Sequence, residues 1–211
     1  MKNPSDTKQK LLRIALDLIW ENSYGSVSVD DICRRAKVLK GSFYHFFPSK
    51  SDLAVEAFEE YWILRKQQLD HNFSPDLSPE DRFLRYADQI YDNQKKRFAL
   101  TKKVGGCPFS SVGSELSTQD EKVRKKAQEI GARVRGYFET ALRDAAGAGQ
   151  TGPDAIEERA SQLYALLTGT LLQARISNDL SSIQNFKPAM LRLLDLAGQT
   201  ARKPRRSALA R

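Results

Sequence analysis

Residues 40–53 read KGSFYHFFPSKSDL, and positions 43 to 47 hold four aromatic rings and an imidazole in succession. At about 3.6 residues per turn, a helix here puts Leu39, Phe43, Phe46 and Phe47 on one face. Lys40, Gly41, Tyr44 and His45 fall on the opposite face. The first face is suited to burial. The second offers a cation, bare backbone, a phenol and an imidazole to an external partner.

The flanks supply the frame for that helix. Upstream, SVSVDDICRRAK carries Ser28 followed three residues later by Asp31, a capping box ahead of Ile32, Cys33 and Ala36 on one helical face. Before it, TKQKLLRIALDLIWENSYG repeats apolar positions at Leu12, Ala15, Leu16 and Ile19 and stops at turn residues. Downstream, Ser49 and Asp52 form a second box that opens a long helix through DLAVEAFEEYWILRKQQL. Two short helices joined by a tight turn, behind a first helix, make a helix-turn-helix.

Charge points the same way. The chain has 211 residues, is 40% apolar and carries a formal net charge of +8. Residues 1–52 hold nine Lys/Arg against six Asp/Glu, residues 199–211 hold five against none, and the middle balances at twenty each. Excess at the ends around a neutral middle suits a polyanion: DNA, RNA or a membrane surface. Lys8, Lys10, Arg13 and Asp17 interrupt the apolar residues after Met1, which argues against a secretory leader. Two cysteines without C-x-x-C spacing and two histidines make neither a zinc site nor a disulfide framework. No metal or cofactor is expected, and a reducing cytoplasm is the expected location.

Residues 8–60, and SVSVDDICRRAKVLKGSFYHFFPSKSDL above all, resemble the DNA-binding motif of the TetR/AcrR family of bacterial transcriptional regulators. The resemblance implies an all-α fold. An N-terminal three-helix helix-turn-helix domain (1–52) is joined by a long helix to a C-terminal helical ligand-binding and dimerisation domain (53–200), with a basic, disordered tail (201–211). Three positions depart from the family pattern: Ser23 and Lys37 stand where glycines end helices, and Leu39 where a serine or threonine caps helix 3. A left-handed Lys37 costs about 1–2 kcal/mol.

In a helix-turn-helix the recognition helix enters the major groove while its neighbours lean on phosphates. That reading assigns DNA contacts to Lys40, Gly41, Ser42, Tyr44 and His45. Ser28 and Lys50 sit at helix N-termini, where free N–H groups and the helix dipole favour a phosphate. Phe43, Phe46 and Phe47 fix the helix from behind.

The remainder reads as helices in PEDRFLRYADQIYDNQKKRFAL, QDEKVRKKAQEIGARVRGYFETALRDA, DAIEERASQLYALLTGTLLQARIS and NFKPAMLRLLDLAGQ. KVGGCPFSSVG reads as an interruption and AGAGQTGP as a flexible loop, and Pro188 leaves the start of the last helix open. An apolar ligand pocket is expected among Phe58, Trp62, Phe83, Tyr86, Ile90, Cys107, Phe109, Tyr137 and Tyr164. Cys33 reads as core, and Cys107 as packing or a reactive thiol. The last two helices are the expected homodimer interface, through Leu163, Leu167, Gly169, Leu171, Met190 and Leu194. The function expected is a ligand-responsive regulator, most simply a repressor released from a palindromic operator by a small molecule. An architectural DNA-binding protein without effector is the alternative. An enzyme with an unrecognised helical site is the other, although no H-E-x-x-H, G-x-S-x-G or phosphate loop occurs.

Overall fold

The structure, a computed structural model, describes residues 4–146 and 152–200, with side chains from 6 to 194. Among these residues the secondary structure is helical throughout. In chain order the helices are α1 (Pro4–Glu21), α2 (Val29–Ala36), α3 (Lys40–Phe46), α4 (Lys50–Asn72), α5 (Pro79–Thr101), α6 (Pro108–Leu116), α7 (Glu121–Ala146), α8 (Pro153–Ser177), the single turn α9 (Ser181–Gln184) and α10 (Phe186–Thr200). The loop expected in AGAGQTGP lies largely, and the basic tail wholly, outside the described residues.

The N-terminal core forms as the sequence pattern requires. Leu11, Leu12, Ala15 and Ile19 of α1 are buried with Ile32, Cys33 and Ala36 of α2 and with Phe43 and Phe47. Burying each phenylalanine contributes about 1.5–3 kcal/mol, enough to hold a helix of seven residues that would not persist alone. Phe46 is only half-buried, and Leu39 departs from the wheel altogether at 81% exposure. The cause is local: Leu39 is the N-cap of α3, with extended backbone at φ −75° and ψ 150°, so helical angles do not apply to it. Lys37 does adopt the left-handed conformation, φ 54°. Its N–H donates to the Arg34 carbonyl and that of Val38 to the Cys33 carbonyl, closing α2 as a glycine would.

The second body packs α7 against α4, α6 and α8, with α5 on the flank. Its far end is an aromatic cluster in which Phe73 lies 5.6 Å from Phe83 and 5.5 Å from Tyr86, with Phe138 against all three. Within KVGGCPFSSVG the chain does not stay irregular: Pro108 sits at the first turn of α6, where its missing N–H costs nothing. Pro188 likewise falls in the first turn of α10. His71 lies in the last turn of α4.

The expected dimer residues divide. Leu163, Leu167, Leu171 and Met190 are each at most 4% exposed inside the protomer, and Leu194 is half-buried. α8 is apolar on two sides, and Leu163, Leu167 and Leu171 lie on the side that faces the protomer's own interior. Its outward side carries Ala165 and Gly169, with Leu172 at 48% and Ile176 at 71% exposure. No other atom lies within 4 Å of a Cβ built on Gly169.

Candidate DNA interface and interior cavity

The capping box of α2 is formed in both directions. Ser28 Oγ accepts from the Asp31 N–H at 3.1 Å, and the Ser28 N–H donates to Asp31 Oδ2 at 3.0 Å. Asp31 is held below its usual pKa range chiefly by the Ser28 hydroxyl. Lys40, Gly41, Tyr44 and His45 lie together on the exposed side of α3, with Ser42 half-buried beside them. Lys40 is paired with Asp30 at 2.9 Å across the turn, which raises its pKa and aims the ammonium. Tyr44 stands edge-on to the buried Phe43 at 5.2 Å and His45 edge-on to the half-buried Phe46 at 4.8 Å, so the inner rings brace the exposed ones. Gly41 has open space above it, free for the approach of a second molecule.

Lys50 is not on that surface. Its Nζ donates to the carbonyls of Tyr24 at 2.9 Å and Val27 at 2.8 Å and rests 4.0 Å from the centre of the Tyr24 ring. Burial lowers its pKa. At the first position of α4 the stem folds back over the α1–α2 loop, where the Tyr24 carbonyl also accepts the Val27 N–H. Lys50 therefore acts as an internal clasp, which spacing alone did not reveal.

Other ties join the second body to this loop and to the start of α4. Glu115, near the end of α6, accepts from the N–H groups of Tyr24 at 3.0 Å and Gly25 at 2.7 Å. Arg175 at the end of α8 donates to the Asn22 carbonyl at 3.0 Å. Lys122 of α7 pairs with Asp52 of α4 at 2.7 Å, and that hydrogen bond is the largest cause of the lowered Asp52 pKa. None of these was legible in the sequence, since each joins residues at least 70 positions apart.

A cavity of about 70 Å³ lies between α4, α5, α6, α7 and α8. Of the expected lining, Trp62, Tyr86, Ile90, Cys107, Phe109 and Tyr164 reach it. Phe58 is core against Phe109, Phe83 belongs to the aromatic cluster, and Tyr137 hydrogen-bonds Asp70 on the outside of α4. Leu167 and Leu171, expected at the dimer interface, are cavity wall instead, together with Trp20, Tyr61, Arg65 and Gln94. Tyr61 next to Trp62 was the available signal; Trp20 gave none, because helix 1 was read within its own domain. Burial pushes the Tyr164 phenol up to about 12 and raises Tyr61 and Tyr86, so all three remain neutral donors. The Gln94 amide pairs with both backbone groups of Gly106, at 2.9 and 3.0 Å. Gly106 has φ 67°, which only glycine adopts without strain, and this turn sets Cys107 as the N-cap of α6 at the cavity wall.

An exposed recognition-type helix on a three-helix core, carried by a helical second body, defines a helix-turn-helix DNA-binding regulator. Residues 11–57 match the model of bacterial regulatory proteins of the tetR family, and residues 80–190 match a tetracyclin repressor-like C-terminal domain. The chain belongs to the TetR family, whose members are transcriptional regulators and not enzymes. It is similar to the transcriptional regulator AcuR of Cereibacter sphaeroides, 32% identical over 71% of this chain and 69% of that protein. It is 28% identical to the transcriptional repressor NemR of Escherichia coli K12, over 85% of this chain and 89% of that one. The crystal structure of reduced E. coli NemR superposes with a TM-score of 0.75 over 88% of this chain and 95% of that one, at 27% identity. No helix among the described residues is long and apolar enough to cross a membrane.

Proposed function

We propose that this regulator is a repressor that binds a palindromic operator as a homodimer and is released when a small molecule enters the interior cavity. The observation that carries the reading is that one cavity touches the helices leading both to the DNA-binding domain and to the exposed α8 face. Trp62 belongs to α4, which starts behind α3; Cys107 and Phe109 open α6, which ends in the Glu115 clasp; Leu167 and Leu171 belong to α8. The cavity is smaller than the ~150 Å³ that accepts benzene, so any larger effector must displace a wall, and Trp62 is one of the walls that α4 supplies. Its lining calls for a compact apolar molecule with one polar end, received by Arg65, Tyr164 or Thr168.

DNA contacts are assigned to Ser28, Lys40, Gly41, Ser42, Tyr44 and His45, with Lys50 supporting them from within. Dimerisation is assigned to Gly169 and the exposed Leu172 and Ile176, with Leu194 at the edge. NemR is named a repressor, which supports the sign of regulation. The test begins with a screen of small metabolites for release of labelled promoter DNA. A hit is then titrated against the protein with and without operator while Trp fluorescence is followed. Coupling of about 1–3 kcal/mol separates the two affinities some five- to 150-fold, and operator and effector must weaken each other equally. Equal effector affinities in both titrations would leave an architectural DNA-binding protein as the better reading.

A further inference from the structure

A second cavity, of about 300 Å³, opens where the end of α1 meets the connector after α5 and the end of α8. Its cations are Arg97, Lys103 and Arg175, and its one carboxylate is Glu21. Among the described residues neither arginine forms a salt bridge, nor does Lys103. Arg97 lies with its guanidinium carbon 3.9 Å from the centre of the Trp20 ring, and its Nη2 is shut off from solvent with no hydrogen-bond partner. Arg175 donates only to backbone, to the Gly105 carbonyl at 2.8 Å and the Asn22 carbonyl at 3.0 Å.

Native structures rarely leave a shielded guanidinium nitrogen unmatched, because a charged donor without an acceptor is costly. Here two guanidiniums share one cavity, and burial and the Arg97 charge together lower the Arg175 pKa. The close packing is specific to glycine at position 105, where a Cβ would stand 2.5 Å from Arg97 Cδ and 2.8 Å from Trp20 Nε1. Trp20 Nε1 donates to the Gly105 carbonyl at 2.7 Å and locks the stack from the DNA-binding side.

We infer that this cavity binds a small oxyanion, a carboxylate or phosphate group, held between Arg97 and Arg175 with Lys103 beside it. A planar guanidinium matches two oxygens of such a group, and the unpaired cations lining the cavity outnumber its one carboxylate three to one. The site is separate from the apolar cavity, although Trp20 borders both. Occupancy recruits Arg175 and competes with its bond to Asn22, so the anion loosens one tie between the two bodies.

The test uses the full chain with Trp62→Phe, which leaves Trp20 as the sole tryptophan. Inorganic phosphate and acetate are titrated separately at constant ionic strength set with sodium chloride, and Trp20 emission is followed. A saturable change is expected with at least one anion, and its identity separates phosphate from carboxylate ligands. Arg97→Met should raise the midpoint at least tenfold with Arg97→Lys intermediate, while Glu21→Gln lowers it. Lys103→Ala, an exposed change, serves if Arg97→Met does not fold, and should raise the midpoint several-fold. Emission that only drifts linearly, as it would with added salt, overturns the site; so does a midpoint indifferent to Glu21→Gln and to whichever cation variant folds.

Discussion

Replacing Glu115 with alanine removes the carboxylate that receives the N–H groups of Tyr24 and Gly25 at 3.0 and 2.7 Å. A hydrogen bond to a charged group contributes about 1.5–3 kcal/mol. The Gly25 amide is exposed and regains a water acceptor, whereas Tyr24 is buried and its amide does not. The expected net loss is about 2 kcal/mol, confined to the α1–α2 loop, or more than tenfold in its opening equilibrium. Amide hydrogen exchange measures this directly: Tyr24 and Gly25 should exchange at least ten times faster in Glu115→Ala, with α7 and α8 amides unchanged. Glu115→Gln, which keeps one oxygen acceptor, should fall between. Unaltered exchange at both amides in the alanine variant would refute the idea that α6 clasps the DNA-binding domain.

Lys50→Ala should lower stability by about 2–3 kcal/mol through two lost charge-assisted bonds, seen in urea unfolding, instead of merely weakening DNA binding uniformly. Tyr44→Ala should cost about 1–3 kcal/mol of operator affinity and relax sequence preference in gel shifts while thermal unfolding stays near wild type. Gly169→Leu, placed where open space surrounds the new side chain, should give a folded monomer by sedimentation; a dimer as tight as wild type would move the interface elsewhere. Asp52 has a folded pKa below its unfolded value of about 3.9, so its contribution is fully present above that pH and is lost as pH falls through the folded pKa. Lys122→Gln should therefore flatten the acid limb of stability below about pH 4, read from urea midpoints against pH.

The helix-turn-helix was legible because its signals are local: Ser28 with Asp31, Ser49 with Asp52, and rings spaced for one buried face. Leu39 escaped the pattern because a cap has no helical angle, and Lys50 because the sequence shows a cation but not where its stem folds. In the second body the aromatic residues were identifiable as interior, but one periodicity serves core, cavity and interface alike. Leu167 and Leu171 were assigned to a dimer for that reason, and Phe58, Phe83 and Tyr137 to a pocket they do not line. Glu115, Gln94 and Arg175 depend on chain segments brought together only by folding.

The position of the aromatic cluster gives α4 a mechanical ratio. Phe73 caps the helix and is wedged among Phe83, Tyr86 and Phe138, so that end is the fulcrum. At about 1.5 Å of rise per residue, Trp62 lies about 15 Å from Asn72 and Lys50 about 33 Å from it. A rotation that shifts Trp62 by about 1 Å thus swings the DNA-proximal end by about 2 Å, a gearing of roughly two to one. Hydrogen bonds to base edges tolerate only a few tenths of an ångström. On the proposed function, a guest little larger than the cavity would be enough to take a recognition helix out of register, with the distant rings setting the gain.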